Sequence, residues 1–218
     1  MLKKIEAGCF RALVDDESRV LLVRHGDHKN NYPTPEAVIQ GNVTGYLLRT
    51  AGVNIDAAVT SPSPRAIEQA LNIMKGFGKM TYPQTDNRLA DLAHHNGSIA
   101  DALKARVKEI GLEPDDPGIA AVMHNPAEGI FYEEMVGMAN EAANAIFDSR
   151  RVGKTVLVTS HGVGRIEPAL QVLKGQTVHQ AERLTETGQV IEIILTSNGT
   201  VVEENWFETV QIIPPAKK

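Results

Sequence analysis

Three short apolar runs, each ended abruptly by polar residues, constrain the fold of this chain more than any other feature. The runs are RVLLVRHG (19–26), IDAAVTSPSPR (55–65) and TVLVTSHG (155–162). Uninterrupted apolar runs of this length are typical of strands buried on both faces of a parallel sheet. Because a helix-like segment follows each run, the pattern predicts an α/β fold, a three-layer sandwich around a mostly parallel central sheet.

The polar residues that end these runs are expected to meet at one edge of the sheet. Arg24 and His25 end the first run, Arg65 follows the second, and His161 follows the third. Ligands of such sheets bind at the carboxyl ends of the strands. Guanidinium groups match the oxygens of a phosphoryl group, and a neutral histidine can attack phosphorus. The pattern therefore predicts a phosphate site in which clustered arginines disfavour protonation of His25.

Composition limits the partners of this site. With 22 Lys and Arg against 27 Asp and Glu, the net charge of −5 favours neither nucleic acid nor an anionic membrane. The lone Cys9 and the lack of a signal-like or membrane-spanning apolar run predict a cytoplasmic protein. We expect a small phosphorylated substrate as the partner, no nucleic acid and no membrane. Whether the chain forms a homodimer stays open.

Two further segments have patterns that are compatible with the predicted α/β fold. Residues 92–130 are rich in loops and polar residues, and they are expected to form a cap inserted over the strand carboxyl ends of one domain, 1–218. Near the carboxyl terminus, two strand-like runs flank Asn198 and Gly199. Asn-Gly favours the two positive φ angles of a type I′ turn, so a hairpin is predicted there.

The ordered motifs resemble those of the histidine phosphatase superfamily, the phosphoglycerate-mutase-like fold, over about residues 19–207. The opening R-H-G after the first strand is Arg24-His25-Gly26, and Asn31 stands where that family often has an asparagine. The S-P-x-x-R-A motif after the next strand is represented by residues 61–66, which include Arg65. The late H-G is His161-Gly162.

This resemblance implies a mechanism and a set of site residues. His25 would attack phosphorus in line and become a phosphohistidine, while Arg24, Arg65 and His161 hold the non-bridging oxygens. Asn31 would add a hydrogen bond to the phosphoryl group. The chain would be a histidine acid phosphatase-type phosphoric monoester hydrolase that needs no metal and no other cofactor.

A carboxylic acid must also protonate the leaving oxygen and then activate water. Family members often carry a glutamate in an R-L-x-E stretch, and this chain has Arg88-Leu89-Ala90-Asp91 there. Asp91 is therefore the first candidate for the acid. Glu128, in the stretch NPAEGIFYEE, lies in a second region where some phosphatases place theirs, and it is the alternative.

Departures from the family pattern favour hydrolysis over phosphoryl transfer between sugars. The region 32–50 lacks the tryptophan-aspartate pair of the mutases, and 92–130 carries three cations, Lys104, Arg106 and Lys108, rather than a long basic insertion. A phosphoglycerate-mutase-type phosphotransferase is one alternative, and a catalytically weak phosphate-binding or regulatory protein is another. Substrate choice is expected to involve residues 27–29, which follow the shared R-H-G.

Overall fold

The structure, a computed structural model, describes residues 2–113, 116–179 and 185–209. Eight strands are formed within these ranges, in chain order: β1 Glu17–Arg24, β2 His28–Lys29, β3 Tyr32–Pro33, β4 Ile55–Thr60, β5 Gln84–Thr85, β6 Thr155–Ser160, β7 Val190–Thr196 and β8 Val201–Trp206. Six of them form the central sheet in the order β5-β4-β6-β1-β7-β8, and β2 and β3 form a separate small hairpin.

The central sheet is mostly parallel, as the apolar runs predict. β1 pairs with β6, β6 with β4 and β4 with β5, all in parallel, whereas β7 and β8 pair antiparallel to their neighbours. Arg24 lies beside Ser160, and Thr60 lies beside Thr159. The three strands that precede the predicted site residues therefore end together at one edge of the sheet.

Seven helices accompany the sheet in the described ranges. They are α1 Pro35–Thr50, α2 Pro64–Phe77, α3 Leu92–His95, α4 Gly97–Glu109, α5 Asp116–Met123, α6 Ile130–Ser149 and α7 Glu167–Leu173. Short 3-10 turns span Asn87–Leu89 and Pro126–Glu128, and a π-helical turn spans Gly162–Ile166. None of these helices is both long and apolar enough to cross a membrane.

The alternation of side chains along β1 produces the three layers. Val20 and Leu22 pack with residues of α6 and α7, whereas Leu21 and Val23 pack with residues of α1 and α2. All four side chains are fully buried. Since successive residues of a strand point to opposite faces, one continuous apolar run supplies both cores.

Close packing of α1 on α2 depends on two glycines and fixes the start of α2, which carries Arg65. A Cβ on Gly45 would come within 1.9 Å of the Ile73 carbonyl oxygen, and one on Gly76 within 1.9 Å of the Asn42 carbonyl oxygen. A side chain at either position would force the helices apart, because backbone atoms cannot yield as a flexible side chain does.

The segment 92–130 forms α3, α4, α5 and a 3-10 turn beside the strand carboxyl ends; residues 114 and 115 lie outside the described ranges. Its apolar side chains form a third cluster with α6. Leu103 and Val107 of α4 and Met123 of α5 pack there with Met135 and Met138. The cap segment is thus anchored to the body of the fold through α6.

The carboxyl-terminal hairpin of β7 and β8 is confirmed, but the predicted type I′ turn is wrong. Gly199 has a positive φ of 88°, and Asn198 does not. The register shifts between Ile194 and Leu195, which indicates a bulge beside the turn. A glycine in the left-handed region next to such a bulge replaces the two-residue I′ turn.

The two positive φ angles occur instead in the small β2–β3 hairpin. Asn30 and Asn31, which link the two strands, have φ of 51° and 66°. Asparagine tolerates this region better than other residues with a side chain. The turn at Asn30 and Asn31 therefore has the pattern that was predicted for the other hairpin.

Candidate active site

The four predicted strand-end residues come together at one cavity. The ring centroids of His25 and His161 lie 4.9 Å apart, and Arg65 Nη2 donates to His161 Nδ1 at 3.3 Å. The cavity has a volume of about 620 Å³. It is lined by Arg24, His25, Asp27, His28, Arg65, Asp91, Leu92, Ala93, Ala100, Leu103, Lys104, Ile119, Met123, His161, Gly162 and Thr187.

One ring nitrogen of His25 is held by a hydrogen bond, and the other keeps its lone pair. Its side chain is buried, and Nδ1 lies 2.9 Å from the carbonyl oxygen of Gly26. A carbonyl accepts only, so Nδ1 carries the proton and Nε2 keeps its lone pair. Burial lowers the pKa of His25 to about 3, and repulsion from Arg65 and Arg24 adds to this, while the Gly26 carbonyl opposes it. The imidazole is therefore neutral at ordinary pH.

The guanidinium of Arg24 is held by a backbone carbonyl of the segment that precedes β7. Its Nη1 donates to the carbonyl oxygen of Thr185 at 2.6 Å. Burial lowers the pKa of Arg24, and the nearby Glu167 carboxylate opposes that shift. Close packing continues at Gly162, where a Cβ would lie 3.0 Å from Arg24 Cδ. The glycine after His161 thus allows the two strand ends to approach each other.

Arg65 is the hub of the hydrogen-bond network. Its Nη1 donates to Asn31 Oδ1 at 3.1 Å and to His28 Nε2 at 3.2 Å. Its Nη2 donates to Asp91 Oδ2 at 2.6 Å, in addition to His161. Burial is the main cause that lowers the pKa of Arg65, and Asp91 opposes it. The guanidinium is therefore oriented by groups from three separate segments, the β2–β3 hairpin, Asp91 and His161.

Asn31 reaches this hub because its turn and the start of α2 are linked. Ser63 precedes α2 as its N-cap residue, yet its side chain makes no capping hydrogen bond. Ser63 Oγ instead donates to Asn31 Oδ1 at 3.3 Å. The same amide oxygen accepts from Ser63 and Arg65, so its NH₂ group is the part of Asn31 that can serve a phosphoryl oxygen.

His161 is buried, and its two ring nitrogens have different roles. Because Arg65 can only donate, Nδ1 accepts from it, and Nε2 carries the proton that Ser61 Oγ accepts at 2.9 Å. Ser61 Oγ also accepts from the Ser63 backbone N–H at 3.2 Å. Burial lowers the pKa of His161 well below its usual range, and repulsion from His25 and Arg65 adds to the shift.

The two candidate acids occupy different places. Asp91 lines the cavity and forms the N-cap of α3, where Oδ1 accepts from the His94 backbone N–H at 2.8 Å. Glu128 does not line it and instead accepts from Arg106 Nε at 2.9 Å and Nη2 at 3.1 Å. Hydrogen bonding to Arg106 lowers the pKa of Glu128.

Several residues at the site carried no recognisable signal in the sequence. Leu92, Leu103 and Ile119 line the cavity, yet they belong to helices whose apolar positions look like ordinary core. Ser61 lies within the second motif, but its hydrogen bond to His161 depends on β4 and β6 being neighbours. Asp27 and His28 do line the cavity, in the stretch where substrate choice was expected, whereas Lys29 is not among the lining residues.

Within the described ranges, no group of three or more His, Cys, Asp and Glu side chains could hold a metal ion. His95, one of the two adjacent histidines of α3, instead has Nε2 3.5 Å from Glu134 Oε1 and Nδ1 3.5 Å from Glu141 Oε2. Arg24, Arg65 and His161, which line the cavity at the strand ends, carry N–H groups that suit an oxyanion.

Among known proteins, similarity is found in structure rather than in sequence. No family model matches the chain, and no curated protein matches it. A mycobacterial glucosyl-3-phosphoglycerate phosphatase superposes with a TM-score of 0.60 at 15% identity, covering 89% of this chain and 100% of that one. A putative alpha-ribazole-5'-P phosphatase from Escherichia coli gives 0.61 at 15% identity, covering 89% and 99%.

A phosphoglycerate mutase from Bacillus anthracis is similar to the same extent. Its TM-score is 0.57 at 18% identity, with 90% of this chain and 93% of that chain covered. Phosphatases and a mutase thus share one architecture with this chain, and similarity at these identities concerns the fold. The chain therefore has a phosphoglycerate-mutase-like fold, the fold that its three ordered motifs predict.

Proposed function

We propose that the chain is a metal-independent phosphatase that hydrolyses a phosphomonoester through a phosphohistidine on His25. The observation that carries the proposal is the state of His25, a neutral imidazole with Nδ1 engaged by Gly26, lying among Arg24, Arg65 and His161 at a cavity. A nucleophile whose lone pair is free at neutral pH and whose neighbours are cations suits attack on a phosphoryl dianion.

In the first step, His25 Nε2 forms a bond to phosphorus as the ester P–O bond breaks. Arg24 and Arg65 stabilise the charge on the non-bridging oxygens, and Asn31 adds its amide N–H. The incoming oxygens compete with Asp91 for Arg65, since both are acceptors for the same guanidinium. Asp91, in its protonated form, gives its proton to the leaving alcohol oxygen.

In the second step, water attacks the phosphohistidine. The Asp91 carboxylate takes one proton from water, the new P–O bond forms, and the N–P bond breaks to return neutral His25 and phosphate. His161 supports both steps if its Nε2–H turns from Ser61 to a phosphoryl oxygen, since a ring N–H can donate to either acceptor.

Hydrolysis is preferred to mutase chemistry because water can reach this site. Asp91 and Arg65 keep 19% and 17% of their side chains exposed, and the cavity is lined by one lysine, Lys104, beyond the phosphate-binding arginines. A mutase must protect its phosphohistidine from water and bind a second acidic group. A phosphate-binding protein of the same fold is the remaining alternative, and it differs from a phosphatase in that it would not turn over a phosphoester.

The test is hydrolysis of an aryl phosphate by purified protein with EDTA present. We expect phosphate release that vanadate inhibits, an acid-labile and base-stable phosphoenzyme, and loss of both in His25→Ala. His94→Ala is the matched control, because His94 is exposed and does not line the cavity. A wild-type protein that stays silent across a broad phosphoester panel would favour the binding protein, and activity retained by His25→Ala would exclude the nucleophile.

A further inference from the structure

We propose that the substrate is the phosphomonoester of an uncharged, apolar alcohol, aliphatic or aromatic, whose body lies against the cap segment. This inference rests on the proposed function, because the phosphoryl group must occupy the polar floor of the cavity for its alcohol portion to reach the cap. The lining of the cavity, the distribution of cations on α4 and the scarcity of hydroxyl partners each support it.

The cavity has a polar floor and an apolar wall. The floor is the cluster of Arg24, His25, Arg65 and His161 at the strand ends. The wall comes from α3, α4 and α5 and consists of Leu92, Ala93, Ala100, Leu103, Ile119 and Met123. Residues three apart on a helix share a face, which places Ala100 and Leu103 side by side on α4.

The apolar wall is the outer surface of a packed core. Leu103 and Met123 are 1% and 2% exposed, and both belong to the cluster that joins the cap segment to α6. Leu92 and Ile119 pack against that cluster while keeping part of their surface accessible. An apolar body placed here would therefore contact side chains that are already fixed.

The charges of α4 do not form a second anion site. Lys104 lines the cavity, and its Nζ lies 3.6 Å from Asp101 Oδ1. Arg106 is bound by Glu128 and Glu109. A carboxylate or second phosphate on the substrate would meet one lysine that already has an acidic neighbour, so a singly phosphorylated, otherwise uncharged molecule fits better.

A polyhydroxylated body fits the wall poorly. Apart from the polar floor, Lys104 and the Asp91 carboxylate that Arg65 engages, the polar side chains of the lining are Asp27, His28 and Thr187. His28 Nε2 already accepts from Arg65. Hydroxyls placed against the cap segment would lose water without gaining partners, which is costly. Methylene groups in the same place would gain from leaving water.

The test measures binding of alkylphosphonates to the full wild-type chain by calorimetry. Phosphonates resist hydrolysis, so this readout does not depend on turnover. From methyl- to hexylphosphonate, the dissociation constant is expected to fall about fourfold per methylene until the wall is covered. 2,3-Dihydroxypropylphosphonate should bind at least about tenfold more weakly than propylphosphonate.

Two wall variants locate the effect. Leu92→Asn keeps the number of side-chain heavy atoms, and Ile119→Thr removes one. Each should weaken hexylphosphonate binding by about fivefold while changing methylphosphonate binding by less than about twofold. Ile110→Asn is the control, since Ile110 follows α4, is 41% exposed and does not line the cavity. Thermal melts show which variants are folded, and either wall variant suffices.

The outcomes separate this inference from the proposed function. A series with no chain-length dependence, or dihydroxypropylphosphonate binding as tightly as propylphosphonate, overturns the apolar substrate even if aryl phosphates are hydrolysed. Chain-length dependence in a protein that hydrolyses no ester supports the apolar site and rejects the phosphatase. Absence of phosphonate binding overturns the apolar substrate, and it counts against the phosphatase as well when no ester is hydrolysed.

Discussion

Two ion pairs of equal length lie at opposite ends of the central sheet, and their surroundings differ. Arg19 Nε is 2.6 Å from Glu192 Oε1 at the end where β1 begins, and Arg65 Nη2 is 2.6 Å from Asp91 Oδ2 at the end where β1 finishes. The first pair has 7% and 1% of its side chains exposed, the second 17% and 19%. Distance alone does not distinguish them.

The neighbours of each pair explain the difference. At the first, Glu192 Oε2 accepts from Asn205 Nδ2 at 2.7 Å, and Arg19 Nη2 donates to the Arg11 carbonyl oxygen at 2.5 Å. Each charge there is matched by partners within the fold. At the second, Arg65 shares the cavity with Arg24, His25 and His161, and Asp91 is the acidic partner it contacts.

We infer that the Arg19–Glu192 pair is structural and that the Arg65–Asp91 pair is functional. A buried pair with satisfied partners fixes two strands to each other and offers nothing to a ligand. The second pair shares its cavity with another arginine, Arg24, and a cluster of guanidinium groups suits an oxyanion. The carboxylate of such a pair is also exchangeable, because the ligand's oxygens can take its place on the arginine.

The largest effect we expect comes from the exchangeable carboxylate. Asp91→Asn should lower kcat/KM by roughly 10² to 10⁴ for alkyl phosphates, because the leaving oxygen then lacks its acid. The loss should be smaller for aryl phosphates, whose leaving oxygens are weaker bases. Initial rates measured with both substrate types check this.

Two carboxylates serve as controls for Asp91. Glu128→Gln should leave the rates within about twofold, because removing a partly exposed pair costs little. Glu192→Gln should affect stability rather than the rate of the folded enzyme. A loss in Glu128→Gln as large as that in Asp91→Asn would move the acid to Glu128.

The next prediction compares the two ion pairs by replacing the arginine of each, Arg19 or Arg65, with methionine. Arg19→Met leaves the Glu192 carboxylate buried without its cation, and such a change costs about 3–5 kcal/mol of unfolding free energy. Arg65→Met should cost about 1 kcal/mol or less, because its partner Asp91 keeps access to water. Urea unfolding of both variants measures the difference. Equal losses would mean that the two pairs are energetically alike.

The sheet and the site cluster could be predicted from sequence because their causes are local. The run 20–23 is apolar at each of its positions, which two flanking layers bury, and strands of this kind are typical of parallel sheets, where they end at one edge. The residues directly after those strands must then converge. Arg24, His25, Arg65 and His161 follow from this geometry together with the ordered motifs.

The side-chain network could not be predicted, because it depends on which segments become neighbours. Ser63 has the sequence position of a helix cap, yet its hydroxyl binds Asn31 of a distant turn. Arg165 looks like an ordinary helical arginine, but it is fully buried, with Nη1 donating to the Met138 carbonyl oxygen at 2.7 Å. Periodicity and spacing carry no information about such partners.

The turn residues show the same limit on a smaller scale. Asn-Gly at 198–199 and Asn-Asn at 30–31 both permit positive φ angles, and the I′-like pair of angles formed at 30–31. The bulge near Leu195 decided the first turn, and a bulge arises from the register of two strands rather than from the turn itself.

The smallest effect we expect is a pH dependence of the unfolding free energy. It arises from His25 and His161 at the carboxyl ends of the strands, which we call the cationic end because Arg24 and Arg65 lie there. The pKa of His25 falls from its ordinary value of 6.5 to about 3 in the folded chain, and that of His161 falls as well, because both rings are buried among cations. Between pH 6.5 and 3 the unfolded chain therefore binds more protons than the folded one. By linkage, the free energy of unfolding falls as pH falls, by up to about 1.4 kcal/mol per pH unit for each histidine.

Replacing His25 by glutamine removes one of the protons that the unfolded chain binds and the folded chain does not. The dependence of unfolding free energy on pH should then become shallower by up to about 1.4 kcal/mol per pH unit between pH 6 and 4, as measured by urea unfolding. His28→Gln should change it less, because His28 is exposed and its pKa is lowered by a smaller degree of burial. Identical pH dependence in wild type and His25→Gln would mean that His25 is charged in the folded chain, and the cationic end would then lack the neutral nucleophile on which phosphoryl transfer depends.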